Sequence, residues 1–186
     1  MKAMQIVSFD GPASGLRYQE ASTPEPGPGQ IAVDVDHAGV GYVEALFTEG
    51  LVPIDLPWTP GLEVSGRVRA LGDGVDGYRV GDAVVALTIT GGGGYGQVAV
   101  APAELVVPLP AGLDPVLAAA VPANSTTALV ALEEIAHLRR GESVLVHAAA
   151  GGLGSQMGQV ARLLGASRIV GVTRSEAKRQ EILDLG

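Results

Sequence analysis

Cysteine is absent, which excludes disulfide bridges and thiolate metal sites alike. No apolar run approaches membrane-spanning length, and the first residues lack the basic-then-apolar plan of a secretory signal. Basic charge is scarce over the front of the chain. Residues 1–130 hold five basic against fourteen acidic side chains, a poor surface for nucleic acid, whereas residues 131–186 hold seven basic against six acidic. The expectation is a soluble, cytoplasmic protein that binds neither nucleic acid nor membrane. Apolar material, by contrast, is ample: 47% of the 186 residues are hydrophobic, at a mean hydropathy of +0.31, enough for one large domain or two small ones.

The stretch from Ser143 to Lys178 organises the rest. Ser143-Val-Leu-Val-His147 is a run of the buried-strand type, and Ala148-Ala-Ala-Gly-Gly-Leu-Gly154 follows as a small-residue turn. Leu153, Met157, Val160, Ala161 and Leu164 then recur at helical spacing until Gly165, and Ile169-Val-Gly-Val172 forms a second buried-type strand. Strand, glycine turn, helix and strand in that order make the βαβ unit that grips the pyrophosphate of a dinucleotide. Ala149 stands where the usual motif has its first glycine. Gly151 leaves the backbone open to phosphate oxygens, Gly154 lets helix and strand pack closely, and the free N–H groups of Ala150, Gly151, Gly152, Leu153 and Gly154 supply donors to the anion. The competing reading is a ligand-free βα turn.

The tip of the second strand bears on which nucleotide. An NAD site usually places Asp or Glu there to bind the ribose 2′-hydroxyl. This chain has Thr173-Arg174-Ser175 and then Lys178, with no acid at the tip. Cations and hydroxyls suit a 2′-phosphate, and Ser175 sits where it could cap the next helix, so the expected cofactor is NADPH. Glu176 reads as an ordinary first-turn acid, and the alternative for Arg174 and Lys178 is a solvated helix start.

Ahead of this unit, residues 2–8 read as an opening strand and residues 23–29 as a Pro/Gly turn. Residues 31–37 alternate apolar and polar, which puts His37 on the apolar side as a hydrogen-bonded core histidine. Residues 38–60 read as an irregular connection. Short strands at 67–71, 80–85 and 97–100, punctuated by glycine turns, imply a small antiparallel barrel, with Gly91–Gly94 as a mobile hairpin tip. From Leu113 the pattern becomes alanine-rich helix, interrupted by Pro122 and resumed from about Thr126 to His137.

In this order and spacing, Pro60-Gly-Leu-Glu63, Val80-Gly-Asp82, Pro102–Pro110, Thr127-Ala128 and Val146–Gly154 resemble the zinc-free quinone oxidoreductase branch of the medium-chain dehydrogenase/reductase superfamily. The resemblance covers essentially the whole chain. It implies a mixed β and α/β fold: a GroES-like antiparallel β-barrel domain for substrate over residues 1–123, then the N-terminal part of a Rossmann, doubly wound NADP-binding domain over residues 124–186. It also implies NADPH, a quinone or other conjugated carbonyl as small-molecule substrate, and a homodimer for the full-length protein. Asn124 and Thr127 would contact the nicotinamide side. Tyr42 lies where the family lines the substrate pocket and is the best local proton donor, or else an aromatic filling a loop.

Zinc-dependent relatives place cysteine where this chain has Gly41 and histidine where it has Leu62, so no metal is expected. Quinone reductases usually carry Asn at Gly41 and Asp at Glu44, and enoyl-thioester reductases carry a tyrosine at Val52; this chain departs at all three. Without zinc, the natural acceptor spreads the developing charge itself, as a quinone or α,β-unsaturated carbonyl does. His147 reads as structural. Two parallel strands cannot bury both faces and edges, so the sequence reads as a fragment, or as a protein of which part is missing, inactive by itself. The alternatives are a non-catalytic relative, an isolated barrel module acting as an interaction protein, and an enoyl or enone reductase.

Overall fold

The computed structural model describes residues 1–185, which divide into two compact units, Met1–Pro122 and the residues from Ala123 onward. In the first unit β1 (Lys2–Ile6) and β2 (Leu16–Glu20) form an antiparallel pair joined through α1 (Pro12–Gly15). The main sheet comprises β3 (Gln30–Ala38), β4 (Glu63–Leu71), β5 (Ala83–Leu87), β6 (Val98–Pro102) and β7 (Val106–Pro108). Its order is β6-β3-β4-β5-β7, antiparallel throughout. β6 and β7 do not pair with each other, so the predicted barrel is a half-barrel. Bridges from Ala3 to Gly96 and Ile6 to Trp58 carry the β1–β2 pair onto its rim. Ile31, Val33, Val64, Val68, Val84 and Val106 fill its core, β-branched side chains suited to a pleated surface.

His37 is exposed rather than in the core. The register slips between Val35, opposite Gly66, and His37, opposite Ser65, a bulge that puts one extra residue in β3 and turns the following side chains over. Residues 38–60 are less irregular than expected, because α2 (Tyr42–Thr48) lies within them. Its acceptor is local: a Glu44 carboxylate oxygen accepts the Gly41 N–H at 3.0 Å.

The four-glycine run is a packed segment and not a mobile tip. Gly92 and Gly94 are buried, and Gly93, Gly94 and Tyr95 donate backbone N–H groups to Thr59, Gly61 and Pro60 at 2.8, 3.1 and 2.9 Å. A Cβ on Gly61 would lie 2.7 Å from Gly94 Cα, so the two backbones meet where only glycine fits. The partner is some thirty residues away in sequence, which local pattern cannot reveal.

After α3 (Pro115–Ala118), α4 (Pro122–Leu129) begins at the proline expected to interrupt it and runs into a π-helical turn, Val130–Ile135. Pro122 sits at the helix start, where its missing N–H has no partner to lose. The second unit continues with β8 (Ser143–His147), α5 (Gly152–Leu163), β9 (Arg168–Val172), a 3₁₀ turn Glu176–Lys178 and α6 (Arg179–Asp184). β8 and β9 are parallel, in register from Ser143–Arg168 to His147–Val172. Val160 and Ala161 of α5 pack with Ala128, Leu132, Val144 and Ile169. The strands expected to be buried are covered on one face only: Leu145, Val170 and Val172 are 60%, 38% and 40% exposed. Alternation along a strand explains it, since these residues point away from the α5 side. Among the described residues, no helix is long and apolar enough to cross a membrane.

Candidate functional site

Close approach of α5 to β8 is what shapes the turn between them. A Cβ on Gly154 would strike the Ala148 carbonyl oxygen and lie 2.8 Å from Ala149 Cα, so the helix can descend onto the strand only with glycine there. Gly151 stands just before α5 in extended conformation, φ −86° and ψ 170°, and the first N–H groups of this twelve-residue helix have no partner within the helix itself. Ala148 holds φ +52°, a left-handed conformation that costs a non-glycine residue about 1 kcal/mol or more. Strain of this kind at a turn is tolerated where the surrounding contacts fix it.

Ala149, the departure from the glycine pattern, is buried, and its N–H donates to Val172 O at 3.0 Å. Its methyl fits because β9 has glycine opposite. A Cβ on Gly171 would lie 2.9 Å from Ala149 Cβ and 3.0 Å from Ile182 Cγ2. The missing glycine of the turn is in effect moved to the neighbouring strand.

Ala150, Gly151, Thr173, Arg174, Ser175 and Lys178 line one cleft of about 450 Å³ at the carboxyl ends of β8 and β9. That is the edge at which open α/β sheets bind ligands. Arg174 and Lys178 are exposed, and among the described residues neither forms an ion pair, whereas Glu176 is turned to Arg179 at 4.0 Å. Two cations thus stand at the strand tip opposite the glycine turn. Ser175 does not cap a helix: the chain enters a 3₁₀ turn first, α6 starts only at Arg179, and the Ser175 N–H instead donates to Thr173 Oγ1 at 3.3 Å.

Gly152 and Leu153 occupy the first turn of α5, Leu153 at the surface, and Gly154 lies on the wall of an adjoining cavity of about 390 Å³. Asn124 of α4 comes against the same turn, its Nδ2 3.1 Å from where a Gly152 Cβ would be. Thr127 is exposed, and its hydroxyl donates to Ala123 O at 2.7 Å. Asn124 and Thr127 are not among the residues lining the 450 Å³ cleft. His147, read from sequence as structural, is exposed and lines the cleft. Its place as the last residue of β8 was the available signal.

In the first unit, Tyr42 is 81% exposed at the start of α2. Behind it lies a cluster that sequence pattern did not disclose. Glu44 and Glu63 are both buried, and burial pushes the Glu44 carboxyl above its usual range. The Tyr95 phenol is pushed up as well, first by burial and then by the charges of Glu44 and Glu63. Gly41 and Leu62 present no ligand atom, and among the described residues no group of three histidine, aspartate or glutamate side chains could hold a metal ion.

Residues 27–111 match the alcohol dehydrogenase GroES-like domain. The chain is 36% identical over 186 residues to the mouse synaptic vesicle membrane protein VAT-1 homolog-like, covering 99% of this chain and 44% of that protein. It is 35% identical over 188 residues to rat quinone oxidoreductase, covering 100% of this chain and 56% of that protein. Among solved structures, human VAT-1 homolog-like protein superposes with a TM-score of 0.91 at 35% identity, over 100% of this chain and 59% of that one. A mycobacterial protein complexed with NADPH superposes with a TM-score of 0.89 at 33% identity, over 100% and 57%. The chain therefore spans about half the length of the curated relatives it matches.

Half-barrel and parallel βαβ unit together make the chain a member of the medium-chain dehydrogenase/reductase superfamily. Within it, the chain belongs to the branch that holds the quinone oxidoreductases and the VAT-1 homolog-like proteins.

Proposed function

We propose that the chain carries the cofactor-gripping part of an NADPH-dependent, zinc-independent oxidoreductase that transfers hydride to a quinone or another conjugated carbonyl. The observation that carries this reading is the cleft in which Ala150 and Gly151 stand across from Thr173, Arg174, Ser175 and Lys178. Its chemistry fits the group. Helix-start N–H groups of Gly152, Leu153 and Gly154 suit a pyrophosphate, and a guanidinium, an ammonium and hydroxyls suit a 2′-phosphate. The mycobacterial relative complexed with NADPH lends support. On this reading residues 124–186 form the front of the NADP-binding domain, and residues 1–123 form the domain that takes the acceptor.

Bound there, the dinucleotide would supply hydride to the conjugated carbon of the acceptor. The chain's own residues bind, orient and exclude water. Asn124 and Thr127 are assigned to the nicotinamide side, and Tyr42 to the acceptor as a proton donor. The acceptor must delocalise its own charge, since Gly41 and Leu62 hold no Lewis acid. The complete protein is read as a cytoplasmic homodimer.

Two melting curves and one turnover assay test this. The chain should gain thermal stability with NADPH but not with NADH, and the complete protein should oxidise NADPH when given a quinone. Absence of any NADPH shift would favour a binding module, a reading that the Gly41 and Glu44 departures from the quinone reductases keep in view. If the shift is present but only enones or enoyl substrates are turned over, the protein is an enone reductase instead.

A further inference from the structure

The pocket beside Glu44 and Tyr95 has no part in the cofactor contacts above. Glu44, Tyr95, Val40, Gly41, Thr48 and Pro60 are among the residues lining a cavity of about 150 Å³ in the first unit. A space of this size admits several waters, or the oxygen and adjoining carbons of a small carbonyl compound. Most of its polar groups are already engaged. Thr48 donates its hydroxyl to Ala45 O at 2.7 Å, and Glu44 accepts from the Gly41 N–H at 3.0 Å.

Tyr95 differs. Its hydroxyl is wholly buried and has no hydrogen-bond partner among the described residues. A buried O–H without an acceptor destabilises a fold, and its persistence calls for an explanation such as a bound partner. The Tyr95 backbone is fixed through its N–H to Pro60 O at 2.9 Å, so the ring is presented by a packed segment. Glu44 and Glu63 are the titratable groups that face it, from α2 and β4. Burial and both carboxyls hold the proton on the phenol, and burial favours the uncharged form of Glu44. The pocket therefore offers one committed donor and no fixed cation, which suits a neutral oxygen acceptor.

We propose that Tyr95 is a catalytic residue of the acceptor site, its hydroxyl donating a hydrogen bond to the carbonyl oxygen of the quinone or enone. The nature of that acceptor rests on the reductase reading above. Were hydride to add to the conjugated carbon, the electron pair would move onto this oxygen and the hydrogen bond would strengthen, with the proton then supplied by Tyr42, the donor assigned above.

The test is Tyr95→Phe, which removes one oxygen and keeps the ring. Cyclohex-2-enone serves as probe, and the single tryptophan, Trp58, serves as fluorescent reporter, since its indole N–H donates to Gly91 O at 3.1 Å at the start of the run carrying Tyr95. The expected result is binding about tenfold weaker than wild type. Melting temperature should hold or rise by about 2–4 °C, because an unpaired buried polar atom has gone. A merely structural tyrosine would lower the melting temperature instead. Unchanged affinity, no enone binding to the wild-type chain, or weaker binding together with a lower melting temperature would each overturn the proposal. The NADPH melting shift, recorded on the same samples, reports separately on the reductase reading. If it is missing while the enone results hold, Tyr95 remains a carbonyl-binding residue and the reductase assignment goes.

Discussion

Gly171→Ala is the substitution that probes the glycine turn from outside it. The added methyl would sit 2.9 Å from Ala149 Cβ and 3.0 Å from Ile182 Cγ2, well inside the about 3.5–4.0 Å at which carbons rest. Ile182 can yield, since its contact is the branch of a flexible side chain. Ala149 cannot yield without moving the turn, because its own N–H is bonded to Val172 O at 3.0 Å. Overpacking of this kind costs about 1–3 kcal/mol. Ala149→Gly alone should cost about 0.4–1 kcal/mol through the freer unfolded chain. In the double variant the new methyl occupies the space the old one left, so the pair should be less destabilised than the sum of the singles, by about 1 kcal/mol or more. Urea unfolding of the four proteins measures this cycle. Strict additivity would refute the idea that Gly171 compensates Ala149.

Two further substitutions bear on the same geometry and on the buried acid. Ala148→Val should cost about 1–2 kcal/mol, because a β-branched side chain is forced to φ +52°, whereas Ala148→Gly should stay within about 0.5 kcal/mol of wild type; equal losses would argue against the left-handed turn. Glu44→Gln keeps an oxygen for the Gly41 N–H and removes a carboxyl held above its ordinary value of 4.5 by burial. With the folded value raised, the folded state binds more protons, so wild type loses stability relative to the variant as pH climbs from about 4.5 through the raised value, and the gap is then constant. Thermal melts across pH read it, and a gap that widens toward acid would contradict the assignment.

The turn was legible because its parts are neighbours in the chain: a strand, three glycines, an apolar stripe ending at Gly165, a second strand. Arg174, Ser175 and Lys178 were legible for the same reason, being fixed by their distance from those glycines. What escaped was set by contacts distant in sequence. A bulge against Gly66 and Ser65 turned His37 outward, and no alternation rule contains that extra residue. Gly91–Gly94 looked loose because its partner, Thr59–Gly61, lies in another segment. The seven residues of α2 are too few to show a period, and with it went the Glu44–Tyr95 cavity. β8 and β9 carry the composition of fully buried strands, yet α5 covers one face, so Leu145 and Val172 stand exposed.

The most direct measurement of the central claim is calorimetric titration of the chain and its Arg174→Ala and Lys178→Ala variants with NADPH and NADH. Charge-assisted contacts to the 2′-phosphate predict that wild type prefers NADPH, and that each variant loses about tenfold or more in NADPH affinity while its NADH affinity is unchanged. Equal affinity of wild type for the two dinucleotides, or variants that weaken both alike, would contradict it.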